Sequence, residues 1–321
     1  MNLRNKSVVL GVTGGIAAYK AAALCSHLVK AGAVVDTVLT EAAQEFVSPL
    51  TFQALTHRPV VTDMFSLLAE TEIGHVSLAK RADLLIIAPA TANTLAKLAA
   101  GLADNMLTTT ALATQAPMLL APAMESQMWS NPVAQDNLSR LKSLRDVTLV
   151  GPGEGRLASG ASGVGRMAEP EEILDAARWV LGREGALVRR QVLVTAGGTR
   201  EPLDPIRFLG NRSSGRMGYA LARAARDQGA EVKLISTTGQ PAPFGAELLP
   251  VETAGEMRDA VLQVLPSSDA LLMAAAVADY RAAAISDQKI KKDPARGGGL
   301  ELELVRTPDI LAEVATVRRP D

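Results

Sequence analysis

Aromatic residues make up only 3% of these 321 residues, histidine occurs three times, cysteine once, and neither sign of charge prevails. Each shortage excludes something. So few rings leave almost no platforms for stacking bases, and 33 Lys+Arg against 34 Asp+Glu produce no positive field to hold a polyanion. Nucleic acid and anionic membrane surfaces are therefore not expected partners. A lone cysteine, Cys25, cannot close an internal disulfide, so a reducing cytoplasm fits and a secreted scaffold does not. No apolar run reaches the roughly 18 residues of a membrane span. Met1–Lys6 leads straight into a strand-like run, which reads as neither a signal peptide nor an anchor.

What is present is an ordinary globular balance, 48% apolar and 21% charged, in a chain long enough for two domains. Ser7–Thr13 is a short β-branched run stopped by Gly14-Gly15, and 16–30 continues with helix formers. Further buried strands are expected at 34–40, 84–89, 117–122 and 147–150, nearly continuous in apolar residues as parallel strands covered on both faces are. Helical stretches at 93–100 and 105–113 lie between them, and another covers 171–181. Strands alternating with helices predict a doubly wound parallel α/β sheet. The pattern pauses around 182–190 and restarts at Gln191–Gly198, with strands at 231–235, 247–251 and 270–277 and helices at 217–227 and 254–265. The expected domains are 1–185 and 189–321, the second another α/β layer.

Ligands of such sheets gather at the carboxyl ends of the strands. Those ends carry Thr13-Gly14-Gly15, Thr40, Ala90-Thr91-Ala92-Asn93 and Ala123-Met124-Glu125. Neither a Walker loop nor a Rossmann glycine pattern is present, and these glycines suit a phosphate cradle and a plain tight turn equally well. Among the histidines, His27 sits in a helical run and His57 in a polar turn, both structural in reading. His75, in Ile73-Gly74-His75-Val76-Ser77-Leu78, stands at a helix start, either on a half-buried face or as a functional group. In the second half, Asn211-Arg212-Ser213-Ser214-Gly215 forms a natural anion site at a helix start, and a buried strand ends at Asp279. The lysines 289, 291 and 292 follow, either as a solvated face or as partners of a polyphosphate.

The runs Gly11–Lys20, Phe46–Phe52, Ile73–Leu78, Pro89–Thr94 and Pro122–Met124 resemble, in order, the flavin-dependent phosphopantothenoylcysteine decarboxylases. The second half, with Gly197–Asp204 and Asn211–Gly215, resembles the phosphopantothenate–cysteine ligase to which they are fused in bacterial coenzyme A synthesis. The resemblance implies a flavodoxin-like HFCD flavoprotein domain followed by a Rossmann-like domain. It implies FMN held by Gly14, Gly15, Ile16, Thr40, Phe46, Ala90, Thr91, Ala92, Asn93 and Met124, with His75 as active-site base. An imidazole suits that task, since its unperturbed pKa of about 6.5 allows proton exchange near neutrality. The implied chemistry oxidises the cysteinyl thiol of 4′-phosphopantothenoylcysteine to a thioaldehyde, releases the carboxylate β to the C=S, and reduces the enethiolate to 4′-phosphopantetheine.

For the ligase half the resemblance implies that Asn211 holds the acyl intermediate. It places Met273, Ala274, Ala275 and Asp279 at the nucleotide and Lys289 at the phosphorus centre. CTP, 4′-phosphopantothenate and cysteine are the implied substrates, with Mg2+, in a homo-oligomer. The metal ligands are not readable. After a segment resembling Thr307–Leu311 the family continues for roughly another 80 residues, whereas this chain stops at Arg318–Asp321, so ligase activity is expected to be weak or absent in this chain.

Two departures from the family pattern stand out. Pro-x-Met-Asn-x-x-Met-Trp reads Pro122-Ala123-Met124-Glu125-Ser126-Gln127-Met128-Trp129, which replaces an amide expected to grip the substrate carboxylate by an acid. Two like charges about 4 Å apart repel by roughly 4 kcal/mol at an effective dielectric near 20. Glu125 is therefore protonated, turned away, or served by another donor. The glycine-dense 155–167 stretch, which reads as a mobile flap, has Ser159 where the family commonly has cysteine, either as a weak proton donor or as a hydrogen-bonding group. These departures keep two other readings in view: a non-catalytic flavodoxin-like regulatory or scaffold subunit, and a flavoprotein decarboxylase of peptidyl cysteines.

Overall fold

The computed structural model describes residues 3–64, 74–291 and 300–317. Ile73 of the histidine stretch, Lys292 of the lysine cluster and the closing Arg318-Arg319-Pro320-Asp321 lie outside them. The chain divides into two compact units, Met1–Leu181 and Gly182–Asp321.

In the first unit the apolar run becomes β1 (Ser7–Val12) and the helix formers after the glycines become α1 (Ala18–Lys30). β2 (Val34–Leu39) leads into two short helices, α2 (Glu41–Gln44) and α3 (Pro49–Thr56), and His57 ends α3 in a left-handed turn with φ 55°. A two-residue edge strand β3 (Val60–Val61), α4 (Gly74–Arg81) and β4 (Leu84–Ala90) follow. α5 (Ala92–Ala100) and α6 (Met106–Ala113) precede β5 (Met118–Pro122). α7 (Ser126–Trp129) and α8 (Pro132–Leu144) precede β6 (Val147–Leu149). The hairpin β7 (Gly153–Arg156) with β8 (Ser162–Arg166), and then α9 (Pro170–Gly182), complete this part of the chain.

The main sheet is parallel, in the order β3-β2-β1-β4-β5-β6. Without the minimal edge strand β3, this is the doubly wound flavodoxin-like order, and its winding reverses between β1 and β4. β4 is buried at every position because helices cover both faces. Val9, Leu85, Ile87 and Leu120 of the sheet meet Leu95, Leu107 and Leu141 of the helices in one cluster. Burial of each such side chain stabilises by about 1.5–3 kcal/mol. Cys25 is buried in α1, and burial pushes its thiol up to about 11, which makes it an inert core residue. No helix among the described residues is long and apolar enough to cross a membrane.

The second unit opens with β9 (Gln191–Ala196) and a small hairpin, β10 (Arg200–Pro202) with β11 (Phe208–Gly210). α10 (Arg216–Arg226), β12 (Glu231–Ser236), β13 (Glu247–Pro250), α11 (Ala254–Val264) and β14 (Ala270–Met273) build its parallel sheet, in the order β13-β12-β9-β14. The antiparallel pair β15 (Tyr280–Ala282) and β16 (Leu304–Arg306), and α12 (Ile310–Val317), follow. The strand expected over 270–277 stops at Met273. The Thr195 hydroxyl accepts the N–H groups of Ala274 (3.2 Å) and Ala275 (3.1 Å), which takes them out of the ladder before Ala276 bridges to Gly198.

Candidate functional site

The carboxyl ends of β1, β2, β4 and β5 open onto a cavity of about 1020 Å³ at the point where the winding reverses. Each strand hands over to a helix through a polar residue. The Thr13 hydroxyl donates to the Pro89 carbonyl at 2.7 Å and so ties the glycine turn to β4. Thr40 caps α2 by accepting from the Ala43 N–H, and Thr91 caps α5 by accepting from the Thr94 N–H. α1 differs: its N-cap, Ala17, offers no side chain, so the first amides of this helix have no capping side chain.

Several residues singled out in the sequence line this cavity: Gly14, Gly15, Ile16, Thr40, Thr91, Ala92, Asn93, Met124, Glu125 and Ser159. A Cβ on Gly15 would meet only the Thr91 methyl, at 3.7 Å, on the cavity wall. The bare glycine thus leaves room for a ligand to approach the backbone beside an uncapped helix N-terminus, the arrangement that favours a phosphate. Asn93 makes no side-chain hydrogen bond among the described residues. The residues present therefore fit a phosphate-bearing planar cofactor.

Three others lie elsewhere. Ala90 is buried at the end of β4, behind the wall, and Phe46 is exposed after α2. His75 is half-buried in the first turn of α4 and is not part of the wall of its own chain's cavity. Its helix is secured at the opposite end, where Arg81 donates to the buried Asp36 at 3.0 Å and Thr114 donates to the Ala79 carbonyl at 3.0 Å.

The glycine-dense flap is a hairpin. Gly155 pairs with Gly163 and Arg156 with Ser162, and the tip closes with the Leu157 N–H donating to the Ala161 carbonyl. Glycine density here serves close approach: a Cβ on Gly165 would collide with the Met124 carbonyl, and the Met124 N–H donates to the Gly165 carbonyl at 3.0 Å. At the tip, the Ser159 hydroxyl donates to Glu125 Oε2 at 3.0 Å. The two positions that depart from the family pattern bond to each other.

The cavity wall also contains residues the sequence reading passed over. Lys20, on α1, is buried, and donates to the Met167 carbonyl at 3.1 Å and to Glu169 at 2.8 Å. The Lys20 hydrogen bond draws the Glu169 carboxyl below its usual range, against partial burial, and Arg166 adds to this. Lys97 pairs with Asp104 at 2.6 Å. Arg156 lines the cavity with no partner among the described residues. A lysine inside the alanine-rich run 17–23 was the available signal for Lys20.

In the second unit a smaller cavity of about 620 Å³ is lined by Met273, Ala275, Asp279, Arg306 and Asp309, among others. Ala274 is not part of its wall. The Asn211 amide donates to the carbonyls of Ala276 (3.4 Å) and Val277 (3.1 Å), which places it on the same connection. Lys289 lies outside this wall, but its neighbour Ile290 is held by Asp204, which accepts the Ile290 N–H at 3.1 Å. Burial alone would raise the Asp204 carboxyl. The N–H groups of Ile206, Ile290 and Arg207 and the Arg207 guanidinium outweigh it and hold the group well below the carboxylate range. No cluster of three or more His, Cys, Asp or Glu with metal-site geometry occurs among the described residues.

Comparison with known proteins finds relatives for both units. A family model described as Flavoprotein matches residues 1–181, and one described as DNA/pantothenate metabolism flavoprotein C-terminal domain matches 187–321. The coenzyme A biosynthesis bifunctional protein CoaBC of Bacillus subtilis is 48% identical over 322 residues, 99% of this chain and 78% of its own length. That of Mycobacterium tuberculosis is 46% identical over 319 residues, 98% of this chain and 75% of its own. A solved PPC decarboxylase mutant complexed with pantothenoylaminoethenethiol shares 35% identity across 55% of this chain and 97% of that one, with a TM-score of 0.49.

Proposed function

The chain belongs to the family of the coenzyme A biosynthesis bifunctional proteins, and on that footing we propose that its first unit binds FMN and decarboxylates 4′-phosphopantothenoylcysteine to 4′-phosphopantetheine. The observation that carries this reading is the cavity at the switch point, with bare Gly15 beside the uncapped start of α1. When bound, FMN supplies the two-electron oxidation of the substrate's cysteinyl sulfur side and the returning reduction. The backbone N–H groups of Gly15, Ile16 and Ala17, in the turn that leads into α1, would hold its phosphate, and Gly15 keeps that approach open. Thr40, Thr91, Asn93 and Met124 would border the rest of the cofactor, and the β7–β8 hairpin would exclude water from the reacting carbon.

His75 is the proposed base, and it acts on the cavity of a neighbouring copy. Support comes from its position off its own cavity wall and from Ile16 and Tyr19, which lie at that wall yet are each 62% exposed. Such open apolar side chains give a neighbouring copy something to pack against at the cavity mouth. The test of the function is direct. Purified protein should show a flavin spectrum and release CO2 from 4′-phosphopantothenoylcysteine. Bound FMN without CO2 release would overturn it in favour of a non-catalytic flavoprotein.

For the second unit we propose the CTP-dependent ligation of cysteine to 4′-phosphopantothenate. Asp279 stands at the cavity, Asn211 donates to the carbonyl of Val277 in its wall, and Mg2+ would be held chiefly through the nucleotide phosphates, which needs no dedicated protein cage. β14 pairs with β9 alone among the described strands, and its residues Leu271, Leu272 and Met273 are only half-buried. Ligation is expected to be weak until that edge is covered. Rapid CTP- and cysteine-dependent pyrophosphate release by this chain alone would refute that expectation.

A further inference from the structure

The decarboxylase reading leaves a carboxylate to be received beside Glu125, a group of the wrong charge. We propose that Arg156 is the substrate-carboxylate receptor of this cavity, and that Ser159 holds Glu125 out of that role. The proposal rests on the decarboxylase reading of the first unit.

The argument is an accounting of charge on one wall. Four cationic side chains line the cavity: Lys20, Lys97, Arg156 and Arg166. Lys20 and Arg166 both bond to Glu169, at 2.8 and 3.0 Å, and Lys97 bonds to Asp104 at 2.6 Å. Arg156 alone among them has no acidic or carbonyl partner among the described residues. It is the last paired residue of β7, opposite Ser162, where the hairpin gives way to its tip. Ser159 is in that tip and donates to Glu125 at 3.0 Å. A carboxylate whose Oε2 accepts from the tip is turned toward the hairpin, and the cation three residues before Ser159, exposed to solvent, lines the cavity from the same short segment. A substrate carboxylate brought to this wall meets repulsion from Glu125 unless a cation compensates it, and the guanidinium is the uncommitted one. Its planar fork also suits a carboxylate better than an ammonium does.

The same guanidinium could instead receive the substrate's phosphate, and the experiment separates the two. FMN-loaded full-length protein is compared as wild type, Arg156→Gln and Arg156→Lys. Decarboxylation of 4′-phosphopantothenoylcysteine is measured alongside competitive inhibition by 4′-phosphopantetheine, which keeps the phosphate but lacks the carboxylate. Loss of one charge-assisted contact predicts a roughly tenfold to hundredfold fall in kcat/KM for Arg156→Gln, carried by KM, and partial rescue by lysine. Inhibition by the product should change less than about threefold. Equal loss for substrate and product would make Arg156 a phosphate contact and overturn the proposal, as would unchanged kcat/KM. Flavin content, read from the spectrum, must match the wild type; loss of flavin in both variants would assign Arg156 to cofactor retention and overturn it too. A wild type that binds flavin but releases no CO2 overturns the function reading and this proposal together, whereas turnover insensitive to Arg156 overturns the proposal alone.

Discussion

Replacing Lys20 by methionine should loosen the closed hairpin and destabilise the first unit measurably. The Lys20 side chain is 7% exposed and makes two bonds, to the Met167 carbonyl and to Glu169. Methionine fills similar space but donates nothing, so the Met167 carbonyl is left unpaired, at a cost of about 1–3 kcal/mol. The lost ion pair adds less than a buried one would, because Glu169 is 49% exposed and retains Arg166. Together these give about 2–4 kcal/mol. For a unit of this size that lowers the Tm by roughly 5–15 °C. Calorimetry, with flavin release used to identify the transition of the first unit, measures it. The pH dependence supplies an independent check. Glu169 is held below its usual range in the folded state, so its contribution is present above its unfolded value near 4.5 and is lost as pH falls through the lower folded value. The Tm gap between wild type and Lys20→Met should therefore narrow below about pH 4.5. A gap under about 1 °C at neutral pH, or one that widens in acid, would refute the reasoning.

Four other substitutions test the remaining site residues. His75→Asn should keep its flavin yet release no CO2, and mixing it with a flavin-free Gly15→Val variant should restore activity if the base is donated between copies; no recovery after subunit exchange would place the base within one chain. Gly15→Val should fold with near-normal stability but lose FMN, because its side chain enters the ligand space beside Thr91, whereas Gly14→Ala should unfold early with or without FMN, since a Cβ there lies 2.7 Å from the Ala42 carbonyl oxygen. Asp204→Asn should weaken both the hold on Ile290 beside Lys289 and any pyrophosphate release. In the wild type the Asp204 contribution is present at neutral pH and lost only in acid, since its folded pKa is depressed; hydrogen exchange at the Ile290 amide, faster in the variant, reads this out.

The strands were legible because a parallel sheet buried on both faces demands nearly unbroken apolar runs. Thus 34–40, 84–89 and 147–150 became β2, β4 and β6 with shifts of a residue or so. α8 was not read, although Asn131-Pro132 is a strong start signal, because its apolar residues are spaced among polar ones and only Leu138 and Leu141 are buried. Glycine density at 155–167 suggested mobility, but the same glycines allow β7 and β8 to pair closely and let Gly165 pass Met124. The flavin-facing turns were recognisable as chemistry only through family resemblance, since a tight turn and a phosphate cradle use the same residues.

Least legible was the relation between the two departures. Glu125 and Ser159 are 34 residues apart, one at the end of β5 leading into α7 and the other at a hairpin tip, and no periodicity links them. Taken singly, each looked like the loss of a functional group. In the fold they form one donor–acceptor pair: asparagine at 125 would replace the charged acceptor by a shorter neutral one, and alanine at 159 would leave Glu125 without this donor. A half-buried acid beside an anionic substrate is tolerable only if something engages it and something else compensates its charge. Ser159 meets the first condition, and Arg156, on the same hairpin, is positioned for the second. The two changes therefore read as a rebuilt carboxylate subsite more naturally than as decay of an active one.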